Sequence, residues 1–146
     1  MLNITMRSLI LFIIFLLVLV TNGFIFAQEF KIPRISIDEL KALMDNEDDI
    51  VILDTQPKKI YQLRHIKGAI SFPWVMKIDR SAVDKLPRNR LIVLYCDCGP
   101  EEGDSNYMAL QLKGLGFTQI KVLADPSIGG WVKKGYPIET EAPKLE

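Results

Sequence analysis

Two cysteines, Cys96 and Cys98, are the only ones in this 146-residue chain. Cys96 directly follows the apolar run Leu91–Tyr95 (LIVLY) and opens a polar stretch containing Asp97, Cys98, Gly99, Pro100, Glu101, Glu102, Gly103 and Asp104. An amphipathic segment, Ser105–Lys113, comes next. A buried strand, a cysteine, a short glycine-containing loop and a helix together aim a thiol at the helix N-terminus. Main-chain N–H groups and the positive end of the helix dipole gather there. Such a setting lowers a thiol pKa and makes the sulfur a nucleophile. Cys96 is therefore the candidate catalytic residue, and residues 97–104 form the candidate substrate-binding loop. The competing reading of Cys96 is a small buried residue at a strand end.

A C-x-C pair closes too short a loop to constrain the unfolded chain, so a bond between these sulfurs is labile and more suited to function than to structure. Cys98 is accordingly read either as an incidental loop residue or as a resolving thiol that attacks an oxidised or sulfur-loaded Cys96. Other reactive groups carry less. His65 is the single histidine, and it lies in the turn-like stretch RHIKGA, where a structural role is expected. Asp54 ends the apolar run Ile50–Leu53 (IVIL) and is read as a support for the cysteine loop or as a cap. Trp74 and Trp131 read as core or rim aromatics. No metal site is expected, because the C-x-C spacing is not that of zinc knuckles. No cofactor motif is found.

The elements that position these groups follow from pattern. Ser36 and Glu39 have capping-box spacing ahead of a short helix carrying Leu40, Leu43 and Met44. IVIL and LIVLY read as strands buried on both faces, as does Ile120–Leu123. Pro57 opens a short helix through Leu63, Ala69–Phe72 is extended, and Trp74–Leu86 reads as a helix stopped before Pro87. Gly129-Gly130 leads into a last short helix around Trp131–Lys134. Continuous apolar strands alternating with helices predict an α/β domain, with a mostly parallel central sheet covered on both faces. Sites in such sheets lie outside the carboxyl ends of the strands, where Asp54 and Cys96 both fall.

The front of the chain is different. Arg7 precedes twelve uncharged apolar residues, Leu9–Val20 (LILFIIFLLVLV), and Ala27 precedes a polar stretch. This predicts a secretory signal peptide over 1–27, cut after Ala27, or else a retained anchor in which residues 9–27 span the bilayer. Either form exports the domain to the periplasm or another extracytoplasmic space, with membrane contact only through residues 9–27. No internal repeat or linker follows, so the expected organisation is one domain over 34–140 and a tail over 141–146. Lys plus Arg and Asp plus Glu each number 18. The basic residues are scattered, which argues against a nucleic-acid partner.

Taken in order, IVILD at 50–54, RHIKGAI at 64–70, LIVLYC at 91–96, ALQLKGLGF at 109–117, Gly129-Gly130-Trp131 and Gly135-Tyr136-Pro137 resemble a rhodanese-like domain. The resemblance implies that fold. It also implies a sulfurtransferase whose cysteine at position 96 carries a sulfane sulfur as a persulfide, with a small sulfur donor and a thiol acceptor, a protein thiol among the candidates, as partners. Three departures stand out. Gln56 stands where the family commonly has arginine. The 97–104 loop is longer than usual, acidic and without a basic residue. The glycine pair abuts Trp131. Local negative charge works against a dianionic donor such as thiosulfate. Glu102 also occupies the place where phosphatase relatives need arginine. The alternatives kept open are a non-catalytic binding or sensing module of the same fold, and a thiol–disulfide redox protein using Cys96 and Cys98.

Overall fold

The computed structural model describes residues 4–23 and 31–141. By internal contacts the chain divides into two units, Met1–Lys31 and Ile32–Glu146. The first contains helix α1 (Ile4–Gly23). Among the described residues no helix is long and apolar enough to cross a membrane. The expected cleavage point at Ala27 and the tail beyond Glu141 lie outside the described residues.

The second unit runs β1 (Arg34–Ile35), α2 (Ile37–Asp45), β2 (Ile50–Asp54), α3 (Lys58–Leu63), β3 (His65–Ile66), β4 (Ile70–Ser71), β5 (Leu91–Tyr95), α4 (Gly103–Gly114), β6 (Ile120–Leu123), α5 (Ser127–Lys133) and β7 (Ile138–Glu139). Five strands form one sheet in the order β1-β6-β5-β2-β4, and every pairing in it is parallel. The register of Leu53 with Leu94 and Asp54 with Tyr95 brings the ends of the two central strands level. Asp54 and Cys96 therefore emerge on the same edge of the sheet.

Alternation along the central strands separates two cores. Val51, Leu53, Ile92 and Leu94 pack with Met108, Ala109 and Leu112 of α4. Ile52, Val93 and Tyr95 face the other way, onto Leu40 of α2 and Ile128 and Trp131 of α5. A parallel strand buried on both faces needs apolar residues at successive positions, which is why IVIL and LIVLY run unbroken. The capping box of α2 forms as read: the Glu39 N–H donates to Ser36 Oγ and the Ser36 N–H donates to the Glu39 carboxylate.

The stretch Trp74–Leu86 differs from expectation. Apart from a 3₁₀ turn at Arg80–Val83 it is irregular. Its second half closes short turns, with the Ala82 and Leu86 N–H groups donating to the Asp79 and Val83 carbonyls, but its first half is satisfied by distant groups. The Ile78 N–H donates to Gln111 Oε1 at 2.8 Å, the Val75 N–H to Met108 Sδ at 3.5 Å, and the Trp74 N–H to the Thr55 carbonyl at 3.0 Å. That first half straps across α4 instead of folding on itself. The small antiparallel pair β3–β7 also goes beyond the sequence reading.

Candidate functional site

Cys96 leaves the end of β5 with only 1% of its surface exposed. Both polar groups of its peptide are held by side chains. Its N–H donates to Glu102 Oε2 at 2.7 Å, and its carbonyl accepts from Ser127 Oγ at 2.9 Å. Glu102 and Ser127 are both buried, and both adopt left-handed backbone, with φ of 49° and 46°. This conformation costs a non-glycine residue about 1 kcal/mol or more. Two strained residues, from loops that follow different strands, thus converge on one peptide unit.

The sulfurs carry the chemistry. Cys96 and Cys98 are joined as a disulfide, with their Cα atoms 5.5 Å apart. The Cys96 Sγ lies 3.6 Å from Ser105 Oγ. Cys98 is exposed, and its Sγ accepts the Asp104 N–H at 3.4 Å, in the first turn of α4. An atom bonded to Cys96 Sγ in this direction meets a main-chain donor at a helix N-terminus, where partial positive charge favours an anion.

The expectation that main-chain N–H groups gather around the Cys96 thiol is corrected. Glu102 turns inward through its left-handed backbone, so its carboxylate fills the inside of the loop and takes the Cys96 N–H. Its own N–H closes onto the Gly99 carbonyl at 3.0 Å. Desolvation pushes the Glu102 carboxyl above the usual glutamate range, against the opposing pull of the Cys96 N–H, the Ser127 and Ser105 hydroxyls and the charge of Arg34. Asp97, Gly99, Pro100, Glu101, Gly103 and Asp104 stay on the exposed rim.

Of the two readings of Asp54, loop support is corrected, while its carboxylate does hold the backbone of the following segment. Asp54 is fully buried, but it does not reach the 97–104 loop. Its carboxylate accepts the Tyr95 hydroxyl at 2.6 Å, the Gln56 N–H at 2.8 Å and the Gln56 side-chain amide at 3.1 Å. The Tyr95 hydroxyl in turn accepts the Ile66 N–H. Burial raises the Asp54 carboxyl, and burial beside Asp54 raises the Tyr95 phenol. Gln56 is thus a partner for Asp54, knitting the ends of β2 and β5. His65 stacks on Tyr61 with ring centroids 3.8 Å apart and bonds the Tyr61 carbonyl through Nδ1, away from the cysteines.

Four contributors escaped the sequence reading. Arg34 donates to the Glu101 carbonyl at 2.8 Å, and Arg64 pairs with Asp97 at 3.4 Å. Cations reach an acidic loop that contains none. Ser105 and Ser127 complete the set. Ser127 follows β6, and the strand-end rule that grouped Asp54 with Cys96 could have found it. Among the described residues, the groups that could together hold a metal are Cys96, Cys98 and Glu102, whose ligand atoms lie within 4.8 Å of one another. In the disulfide neither sulfur is an anionic ligand.

A family model described as the rhodanese-like domain matches residues 36–134. The chain belongs to this family. Among curated proteins, the rhodanese-like chain is 27% identical over 104 residues to the "Putative sulfur carrier protein YrkF" of Bacillus subtilis, covering 71% of this chain and 53% of that protein. It is 23% identical over 117 residues to the adenylyltransferase and sulfurtransferase UBA4 of Candida albicans, covering 76% of this chain and 25% of that one. The chain thus spans about half or less of the curated relatives it matches. Among solved structures, the BH2092 protein of Bacillus halodurans superposes with a TM-score of 0.67 at 27% identity, covering 74% of this chain and 77% of that one. The rhodanese-like domain of Alr3790 from Anabaena, at 24% identity, shares the fold with a TM-score of 0.63, covering 78% and 83%.

Proposed function

We propose that this rhodanese-like domain is a sulfur carrier that takes a sulfane sulfur onto Cys96 and can release it by attack of Cys98. The observation that supports it is the bond between the two sulfurs, with the Asp104 N–H on the outer one. The outer sulfur of a Cys96 persulfide is bonded to the same Sγ and meets the same donor.

The Cys96 thiolate attacks the terminal sulfur of a small donor. A new S–S bond forms and the old one breaks. The donor leaves as a thiolate, or as sulfite when the donor is thiosulfate, and Cys96–S–S⁻ remains. Two exits follow. A thiol acceptor attacks the outer sulfur and takes it, returning the Cys96 thiolate. Alternatively, the Cys98 thiolate attacks Cys96 Sγ and expels hydrosulfide, leaving the Cys96–Cys98 disulfide. An external dithiol then reduces that bond and is itself oxidised. The acidic rim of Asp97, Glu101 and Asp104 favours a persulfide or protein-bound donor over a dianion. The apolar run at 9–20 supports an extracytoplasmic setting.

A second reading has its own support. The burial of Cys96 and its bond to Cys98 suit a thiol–disulfide redox couple that carries no sulfur. Treatment of the reduced chain with a persulfide donor separates the two. The carrier reading expects a Cys98→Ser variant to accumulate persulfide on Cys96. It expects the wild type to finish as the disulfide with one hydrosulfide released per chain. Hydrosulfide accompanies the disulfide by either route, so Cys98→Ser decides: a mixed disulfide between Cys96 and the donor's thiol, with no persulfide on Cys96, selects the redox couple.

A further inference from the structure

The atoms around Cys96 form a connected line that simple sulfur carriage does not require. Cys96 Sγ lies 3.6 Å from Ser105 Oγ. The Ser105 hydroxyl is within 3.2 Å of Glu102 Oε2 and 3.0 Å of the Glu102 carbonyl. The same carboxylate oxygen accepts the Cys96 N–H. All three residues are buried, at 1%, 0% and 1% exposure for Cys96, Ser105 and Glu102. A buried thiol has no bulk water to take its proton, and burial disfavours the thiolate. A nucleophile in this position needs a local base.

We propose that Ser105 and Glu102 are a proton relay for Cys96, with Glu102 as the base that takes the thiol proton as the sulfur attacks and returns it when the sulfur becomes a leaving group. This rests on Cys96 being the reacting sulfur, as stated above. The Cys96 S–H donates to Ser105 Oγ, the Ser105 O–H donates to Glu102 Oε2, and one proton moves along the line. The result is a thiolate and a neutral carboxylic acid, with no change in net charge inside the loop. That conservation matters because an ionised carboxylate and a thiolate within 4.8 Å of one another repel. Desolvation holds the Glu102 carboxyl high, toward the range of a useful base.

The groups facing the relay come from each neighbouring element. Arg34 at β1 pulls the carboxyl down, Ser127 at the start of α5 holds the Cys96 carbonyl, and Asp104 lies on α4. On the rim, Asp97 is paired with Arg64. Glu102 acts through Ser105, so Ser105 is a positioning residue with a hydroxyl that must be able to donate and accept.

The test is the pH dependence of Cys96 alkylation by iodoacetamide in the reduced full-length chain under anaerobic conditions, with Cys96 resolved from Cys98 by peptide mapping. The relay gives a profile with two rises. The lower follows Glu102 losing its proton, and the upper follows the thiol ionising without help. Glu102→Gln keeps an acceptor for the Cys96 N–H but cannot take a proton. Ser105→Ala keeps the carboxylate but breaks the line. Each variant is expected to lose the lower rise, with a rate at about pH 6 reduced by at least about tenfold, and to keep the upper one. A wild-type profile with a single rise overturns the relay. So does survival of the lower rise in either folded variant. Should Glu102→Gln not fold, Ser105→Ala decides alone. The readout uses no sulfur donor, so failure of the relay and failure of persulfide formation are seen separately.

Discussion

Two buried carboxyls sit at neighbouring strand ends, and they differ in one respect. Asp54 closes β2, and Glu102 closes the loop after β5. Both are nearly inaccessible, both are pushed above the usual carboxyl range by desolvation, and both accept hydrogen bonds, three at Asp54 and two at Glu102. The partners of Asp54 are Tyr95 and Gln56, and none of them reacts. The partners of Glu102 are Ser105 and the peptide of a cysteine whose sulfur lies within 4.8 Å. Burial and a perturbed pKa therefore do not mark function by themselves. In the function proposed above, adjacency to the sulfur that would react does.

The sharpest way to break this contrast is to remove the sulfur. Cys96→Ser is expected to abolish persulfide loading completely while leaving the Asp54 network intact, read by mass spectrometry and by an unchanged denaturation midpoint. Residual loading equal to wild type would move the site elsewhere. Next in size is Asp54→Ala, which strands the Tyr95 hydroxyl and the Gln56 amide. A loss of about 3 kcal/mol is expected in chemical denaturation, with loading per folded molecule unchanged. A specific loss of loading in the folded fraction would make Asp54 part of the site.

A smaller effect separates the two carboxyls by pH. For Glu102 the folded pKa lies above the unfolded one. Its contribution to stability is therefore full below the usual glutamate range and is lost as pH rises through the folded value. Glu102→Gln removes that loss. Thermal melts from about pH 4 to about pH 7 should show the variant gaining on the wild type as pH rises. Asp54→Asn should do the same without altering the pH dependence of Cys96 alkylation. Parallel melting curves for Glu102→Gln and wild type would contradict the raised carboxyl.

The smallest effect tests the strained contact. Ser127→Gly loses the hydrogen bond to the Cys96 carbonyl but relieves a positive φ. These terms are each about 1 kcal/mol, so stability should change by less than about 1 kcal/mol. Ser127→Ala loses the bond and keeps the strain, and should be the less stable of the two.

The same contrast explains what could be read from sequence. IVIL and LIVLY revealed the parallel strands, because burial on both faces leaves an unbroken apolar run. Ser36 and Glu39 revealed the start of α2, because a capping box is local. Cys96 and Asp54 could be grouped because both end strands. The contacts that decide their roles were not legible. Arg34 meets Glu101 and Ser127 meets Cys96 across 67 and 31 residues of chain. An acidic Glu102 reads as a solvated loop residue until its left-handed backbone turns the carboxylate inward. Trp74–Leu86 read as a helix stopped before Pro87. Met108 and Gln111, from a distant helix, take N–H groups of its first half instead. At Gly130 the missing Cβ matters, since one would lie 2.4 Å from Pro126 Cγ. That packing fixes a glycine beside Trp131 for a reason no local pattern carries.

The most direct measurement follows a labelled outer sulfur from a persulfide donor through the reduced wild-type chain. The expected course is label first on the Cys96 peptide as a persulfide, then in solution as hydrosulfide as the Cys96–Cys98 disulfide forms. Label that never reaches Cys96, while the disulfide forms at the same rate, would contradict sulfur carriage by this domain.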